Sequence, residues 1–293
     1  MVRRYEKYLP YLLVMPALVA LFLVTMYPFI YAIYLSLYNL DFLAPRRLSF
    51  VGAKNYLDLL KDGRFLNSVK VTAIYVISAV GIEITLGILL AHLLRGKIKG
   101  ATIFRAIFTL PAVICPVVVA LSWKIMLHGT IGVINYMINK LTGITPPAWL
   151  SMPSTALTAV ILVDVWQWAP FMLLVFTAAL DSLPQEPFEA AKVDGASALQ
   201  TLLHVSLPML RPIIGIMGII RVVDALRTFD KIFILTRGGP GISTETVDLY
   251  AYYVGLAEGG RISYAAAIAV LMTFLTEAIA LIYLKLMMRG VKV

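Results

Sequence analysis

Long apolar runs separated by short polar stretches make up most of the chain. Runs of about 20 residues with few or no charges, the length that crosses a bilayer as a helix, recur six times. They predict transmembrane helices over residues 10–37, 71–94, 104–127, 155–180, 213–236 and 264–287. Helices are expected because backbone groups in lipid must be hydrogen-bonded within the segment, and the pattern lacks the short alternating strands of a barrel. It predicts an all-α polytopic membrane protein, with one transmembrane domain over residues 1–293.

Composition supports this fold class. The chain is 60% hydrophobic and 14% charged, with a mean hydropathy of +0.88, whereas soluble domains carry about 25% charged residues. It has too few charges to cover a soluble globule of its size. The net charge of +9 fits the excess of Lys and Arg that membrane proteins keep in cytoplasmic loops. We therefore expect membrane lipid around the helices and no nucleic-acid partner.

Prolines and the one cysteine lie inside the apolar runs. Pro111, Pro116 and Pro170 lie inside predicted spans and predict kinks, because proline lacks the N–H of the helical hydrogen-bond ladder. Cys115, beside Pro116 in an apolar run, is expected to be a small buried side chain. One thiol forms neither an intramolecular disulfide nor a zinc site, so no metal site is expected.

The distribution of basic residues predicts the orientation. With the N-terminus inside, twelve Lys and Arg residues lie in cytoplasmic segments and nine lie outside. The compact basic turn Arg95–Lys99, tight between two spans, is the stronger local signal. It predicts that both termini are cytoplasmic.

The fifth predicted span, residues 213–236, is the least lipid-like. Its charged residues are Arg221, Asp224, Arg227, Asp230 and Lys231. At 100° per residue they fall on one half of the helix, with apolar side chains on the other. A charge at the bilayer centre costs at least about 2.5–3.5 kcal/mol, so the charged half must face other helices or a watery cavity. Either ion pairs such as Arg221–Asp224 and Arg227–Asp230 only bury the helix, or these residues line a polar solute path.

Other spans hold further candidates. Four ionisable side chains stand alone in their spans: Glu83, Lys124, Asp164 and Glu277. A lone ionisable group is typical of a hydrogen bond between helices. Trp166 and Gln167, in the fourth span, are added to the predicted solute path, because an aromatic ring beside a cavity can stack on the apolar face of a sugar. Core packing is the alternative for the ring.

The loop between the fourth and fifth spans has the most specific pattern. It contains Glu189-Ala-Ala-Lys-Val-Asp-Gly195 and, nine residues later, Val205-Ser-Leu-Pro208. Residues 187–194 are predicted to form a short helix with acidic residues near its start. Gly195 ends that helix, and a second short helix is predicted over residues 197–204, before Pro208. Such a loop is typical of a docking surface for a cytoplasmic partner, and the alternative is an ordinary connector.

The spacing EAA-x3-G-x9-V-x-L-P resembles the EAA loop of the permease subunits of binding-protein-dependent ABC importers, with Val205 where Ile is usual. Other segments, in order, resemble the maltose-type carbohydrate permease family: Val51-Gly-Ala-Lys-Asn-Tyr56, Phe104-Arg105 through Leu110-Pro111, Val165-Trp-Gln-Trp-Ala-Pro-Phe171 and Leu235-Thr-Arg-Gly-Gly-Pro240. The resemblance covers residues from about 50 to 285. Arg237 departs from it, since a small residue is usual there.

The resemblance implies an importer-type core over residues 70–287, with a cytoplasmic coupling loop at 186–208. The residues that would couple to an ATPase are Glu189, Ala190, Ala191, Asp194, Gly195, Leu207 and Pro208. The implied partners are a second permease subunit, often a different chain, two copies of an ABC ATPase, and an extracytoplasmic solute-binding protein that delivers a carbohydrate or polyol. The implied location is a prokaryotic cytoplasmic membrane.

No phosphate-binding G-x-x-x-x-G-K-[ST] motif is present in the sequence. ATP and Mg²⁺ are therefore expected on the partner ATPase, with no catalytic residue and no cofactor on this chain. One alternative is an importer of a phosphorylated polyol such as glycerol 3-phosphate, since the charged segment carries a net +1. The other is an ion-coupled secondary transporter, in which Asp224, Asp230 or Glu277 would carry the ion.

Overall fold

The computed structural model describes residues 2–42, 48–94 and 101–287. The helices in these ranges are α1 (Val2–Ser36), α2 (Lys54–Leu59), α3 (Gly63–Leu93), α4 (Ala101–Val113), α5 (Pro116–Met126), α6 (Val133–Thr142), α7 (Pro153–Ser182), α8 (Glu186–Val193), α9 (Ala198–Thr201), α10 (Leu207–Leu226), α11 (Asp230–Leu235), α12 (Val247–Tyr252) and α13 (Ile262–Met287). π-Helical segments, Leu202–Ser206 and Tyr253–Ala257, follow α9 and α12, and two short strands, β1 (Tyr38–Asn39) and β2 (Ser49–Phe50), pair antiparallel. The basic turn Arg95–Lys99 lies outside the described residues, as do residues 288–293.

The predicted spans are recognisable in the described part of the chain. Five helical stretches are long and apolar enough to cross a membrane: Tyr8–Ser36, Gly63–Leu93, Pro153–Ser182, Ala198–Leu226 and Ile262–Leu286. A sixth span follows if the bent pair Ala106–Val113 and Pro116–Met126 is counted as one. The all-α polytopic fold is therefore confirmed, with corrections to the third and fifth spans.

The third predicted span, 104–127, is not one helix. Its two halves, in α4 and α5, are bent by 103° at a short break. The residue before a proline is disfavoured in the helical conformation, and Cys115 is accordingly extended, with φ −55° and ψ 133°. Pro116 then begins α5, where its missing N–H costs nothing. Cys115 is exposed at this break, so its predicted burial was wrong.

The fifth predicted span, 213–236, also differs. The apolar helix runs over Ala198–Leu226 and ends at Arg227, and α11 begins at Asp230. The predicted separate helix at 197–204 is instead the start of this long helix, since α9 passes through Leu202–Ser206 into α10. A π-turn accommodates Pro208, because it shifts the hydrogen-bond pattern just where proline cannot donate.

Contacts divide the chain into two compact units, Met1–Gly63 with Tyr250–Phe274, and Arg64–Leu249 with Leu275–Val293. In the first unit, the side chain of Asn55 on α2 fastens the end of α1. Its amide nitrogen donates to the carbonyls of Ser36 at 2.7 Å and Tyr38 at 2.9 Å. The first bond satisfies a carbonyl that the end of a helix leaves unpaired, and the second holds the start of β1.

In the second unit, a hydrophobic core joins α3, α7, α8 and α10. Its buried members are Ile88, Ala91, Met172, Leu173, Phe176, Leu180, Phe188, Leu202, Leu210 and Met217. Close approach of α3 to α7 depends on Gly87, since a Cβ there would overlap Met172. The short helix α8 is thereby attached to the ends of the long helices.

Candidate functional site

The helix α8 is specified by its own sequence. Pro187 lies in its first turn, where a missing N–H costs nothing, with Glu186 and Glu189 near the positive end of the helix dipole. At the other end, Ala196 N–H donates to the carbonyl of Ala191 (2.9 Å) and Gly195 N–H to that of Lys192 (3.1 Å). This is the Schellman arrangement, and it requires the left-handed conformation that Gly195 adopts, with φ 72°.

One face of α8 packs on the core and the other is exposed. Phe188 is 4% exposed, and Ala191, one turn later, is also buried. Glu189, Ala190, Asp194 and Gly195 are exposed, as is Pro208, while Leu207 is half-buried. Of the predicted coupling residues, Ala191 therefore faces its own chain, where its small side chain lets α8 lie close to the long helices.

The second half of the loop is held by a histidine. His92, near the end of α3, donates from Nε2 to the carbonyl of Ala198 (3.1 Å), and the hydroxyl of Ser206 donates to Nδ1 (3.2 Å). A capping box between Ser197 and Gln200 starts α9. Sequence analysis missed the role of His92, because a lone histidine near the end of an apolar run gives no spacing signal.

Between the two halves of the loop lies a surface cleft of about 470 Å³. Its lining includes the acidic side chains of Asp181 and Glu189, the cation of Lys192, and Thr201. The cleft can therefore accept a polar or charged side chain of a partner. No group of three or more His, Cys, Asp and Glu side chains that could hold a metal ion occurs in the described residues.

A second polar region lies among the long helices. Arg221 on α10 is 2% exposed. It binds Glu83 on α3 through Nε (2.8 Å) and Nη2 (3.0 Å), and Asp164 on α7 through Nη2 (2.9 Å). It also donates from Nη1 to Asp224, so the predicted Arg221–Asp224 pair is present. Buried charges of this kind are stable only when paired and hydrogen-bonded.

Lys231 on α11 completes this group, which we call the ionic cluster: Glu83, Asp164, Gln167, Arg221 and Lys231. The Nζ of Lys231 donates to Asp164 Oδ1 and, at 3.2 Å, to the side-chain carbonyl of Gln167. The ring of Trp168 lies against the cluster, 4.9 Å from Arg221 Cζ and 5.8 Å from Lys231 Nζ. These are distances at which an aromatic ring attracts a cation.

The structure separates the predicted solute-path residues. Arg221 and Gln167 are buried in the cluster, whereas the Asp224 side chain is 54% exposed, and Arg227 and Asp230 are exposed. No Arg227–Asp230 ion pair occurs in the described part of the chain, because the helix ends between them. Arg227 lies near Asp248 instead; burial raises the pKa of that carboxyl, and the positive charge of Arg227 opposes the rise.

Trp166 belongs to a different environment. Its ring packs edge-to-face on Trp123, with centroids 5.4 Å apart, beside an apolar pocket of about 440 Å³. Of the four lone ionisable groups, Glu83 and Asp164 meet Arg221, and Lys124 donates to the carbonyl of Ile234 (2.7 Å). These three confirm the predicted bonds between helices. Glu277 is exposed on α13.

Comparison with known proteins agrees with this architecture. The sequence model of the family described as binding-protein-dependent transport system inner membrane component matches residues 83–292. The chain is 34% identical to the trehalose/maltose transport system permease protein MalF of Thermococcus litoralis, over 96% of this chain and 94% of that protein. It is 42% identical to the probable ABC transporter permease protein y4oQ of Sinorhizobium fredii, over 82% and 78% of the two chains.

A solved structure shows the same fold. It is that of a bacterial ABC transporter involved in the import of the acidic polysaccharide alginate, with a TM-score of 0.83, 24% identity and 99% of each chain covered. The family match spans more than half of the chain, and the two relatives align with 82% and 96% of it. The chain therefore belongs to the family of inner membrane components of binding-protein-dependent transport systems, and it is a membrane permease.

Proposed function

We propose that this chain is the pore-forming permease subunit of an ATP-driven importer of a sugar, oligosaccharide or polyol in a prokaryotic cytoplasmic membrane, with both termini cytoplasmic. It would act with a second permease subunit, two copies of an ABC ATPase and an extracytoplasmic solute-binding protein. One observation carries the proposal. The helix α8 is anchored to the long helices by Phe188 and Ala191 while it exposes Glu189, Ala190 and Asp194. This is the geometry of a rigid docking helix.

The proposed coupling route begins at α8. An ATPase that binds its exposed face would move Phe188 against the buried residues Ala91 on α3 and Leu180 on α7, which belong to the same core. Close-packed side chains transmit such a displacement, since they leave little free volume to absorb it. ATP and Mg²⁺ would bind to the ATPase, because this chain lacks the phosphate-binding motif.

The proposed substrate class rests on the relatives and on three exposed charged side chains around the break between α10 and α11. Curated relatives are named for trehalose/maltose, trehalose and maltodextrin transport. In this chain Asp224, Arg227 and Asp230 expose both acceptors and donors near the break after α10. Hydroxyl-rich solutes match such a mixture, because each hydroxyl donates one hydrogen bond and accepts others. We propose these three residues as the solute-facing ones.

The test is solute recognition by the cognate binding protein, read out on the assembled importer. The binding protein would be titrated calorimetrically with trehalose, maltose, a polyol and glycerol 3-phosphate. We expect a neutral carbohydrate or polyol to bind and to stimulate ATP hydrolysis by the complex. Binding of glycerol 3-phosphate alone would contradict the proposed substrate class, and the absence of stimulation by any bound solute would contradict the coupling.

A further inference from the structure

Both broken spans are held on one face of α7. Asp164 and Gln167, three residues apart, lie on the same side of this helix. The Gln167 amide donates to the carbonyl of Ile114 (2.9 Å), which lies at the break between α4 and α5. Asp164 accepts from Arg221, before the break between α10 and α11, and from Lys231, after it. The two breaks therefore share one support.

The segments that follow the two breaks also contact each other. Lys124 on α5 donates to the carbonyl of Ile234 on α11 at 2.7 Å, and the two helices pack together. Lys231 on α11 also reaches the side-chain carbonyl of Gln167 at 3.2 Å. The segments α5 and α11 thus form a pair, which the two α7 side chains bind through Lys231 on α11 and through Ile114, just before α5.

The second ion pair, Asp164–Lys231, is not needed to neutralise Arg221. Glu83 and Arg221 already compensate each other through two hydrogen bonds between α3 and α10. Asp164 and Lys231 are a second buried pair, and buried pairs give little net stability relative to apolar side chains of similar size. What the second pair does add is a fixed position for α11 against α7.

We propose that Asp164, with Gln167, is a latch that holds α5 and α11 against α7, and that its release lets these segments move during transport. Helix breaks suit this motion, because a few residues at a break absorb the change in backbone angles while the segments stay rigid. Asp164 is then a positioning residue, which sets the resting conformation of the permease. The proposal rests on the proposed function, since only coupling to an ATPase turns a change of conformation into a change in ATP hydrolysis.

The test separates the bridge from the charge balance by two double variants of the complete importer. Asp164→Leu with Lys231→Met removes the bridge together with the polar groups that form it, but leaves Glu83 and Arg221 balanced. Asp164→Leu with Glu83→Gln leaves Lys231 without a carboxylate and leaves Arg221 only Asp224, whose side chain is 54% exposed. Assembly with the ATPase and ATP hydrolysis per complex, without solute-binding protein, are measured for both.

We expect the balanced variant to assemble and to hydrolyse ATP about threefold or more faster than wild type without binding protein, because loss of the latch shifts the population away from the resting conformation. The unbalanced variant should assemble poorly, since a buried Lys231 without a carboxylate partner destabilises the fold. Normal, low hydrolysis in assembled balanced complexes would contradict the latch. Failure of the balanced variant to assemble would also contradict it, by showing that the bridge is needed to build the permease.

Measurements on the wild-type complex distinguish failure of the latch proposal from failure of the proposed function. If wild type binds the ATPase and its hydrolysis is stimulated by loaded binding protein, an unchanged balanced variant overturns the latch alone. If wild type neither binds the ATPase nor is stimulated, the proposed function fails first.

Discussion

Gly195 has an observed role in the fold and a proposed role on the partner surface. Its φ of 72° closes the Schellman arrangement, and a Cβ added there would meet no atom of the described residues, its chain neighbours apart, within 4 Å. A substitution therefore costs only the backbone strain, roughly 1 kcal/mol, within the chain itself. A larger effect on function would have to come from a partner surface.

We expect Gly195→Asp to leave the protein inserted in the membrane but to weaken its association with the ATPase, lowering transport and stimulated hydrolysis together. The matched control is Gly143→Asp, since Gly143 ends α6 with φ 73° and equally open space. Co-purification of the ATPase is the measurement. Equal co-purification for both variants and wild type would argue against α8 as the docking helix.

Glu189→Ala should weaken association with the ATPase less than Gly195→Asp does, because a partly solvated ion pair contributes about 1 kcal/mol or less.

His92 allows a second prediction at this scale. His92→Ala removes two hydrogen bonds to residues 198–206, each worth about 0.5–1.5 kcal/mol. Amide hydrogen exchange in residues 197–206 should accelerate about 5- to 150-fold, the range that corresponds to roughly 1–3 kcal/mol. His204→Ala is the control, because its Nδ1 donates to Gln200 of the same helical segment (3.0 Å). Similar exchange in both variants would show that His92 does not hold the loop.

Among the elements, the helix α8 is stabilised by its packing against the rest of the chain more than by its own helical hydrogen bonds. A helix of 8 residues is too short to be stable alone in water, so its position relies on Phe188. Sequence periodicity could have predicted this, because Phe188 and Ala191 are three apart and fall on one face. The resemblance instead implied that Ala191 is a docking residue, whereas its side chain is buried.

Phe188→Ala should detach α8 from the core. The cavity left by a buried phenylalanine costs about 3–5 kcal/mol, and we expect protease cleavage within residues 183–197 at protease concentrations that leave wild type intact. Val193→Ala, at a position 88% exposed on the same helix, should behave as wild type. Equal resistance of the two variants would mean that α8 is held by other contacts.

The broken spans mark what the sequence could not show. Pro116 was visible as a helix interruption, but not the 103° bend, which Gln167 supports by binding the carbonyl of Ile114. The end of α10 was missed, because periodicity does not register that Arg221 and Lys231 meet the same carboxylate of Asp164. In a straight helix these residues would lie about 15 Å apart along the axis. Both breaks thus involve contacts between helices, which a pattern along one chain segment does not register.

For the whole molecule, the orientation predicted from basic residues leads to a labelling experiment. In a Cys115→Ala background, Leu199→Cys, exposed on α9, should resist a membrane-impermeant thiol reagent added from outside and react in inside-out vesicles. The neighbouring Gln200 is left unchanged, because its side chain takes part in the capping box that begins α9. Lys61→Cys, on the predicted outer loop, is the opposite control and should react from outside. The reverse pattern would overturn the predicted topology.

As proposed, this chain is a permease that moves a carbohydrate only when an ATPase drives it. The most direct test is uptake of radiolabelled sugar, chosen by the binding-protein titration, into proteoliposomes that contain the chain with its partner subunits. We expect uptake that requires the binding protein outside the vesicles and ATP inside, with none for the chain alone. Uptake by the chain alone, driven by an ion gradient without ATP, would contradict it.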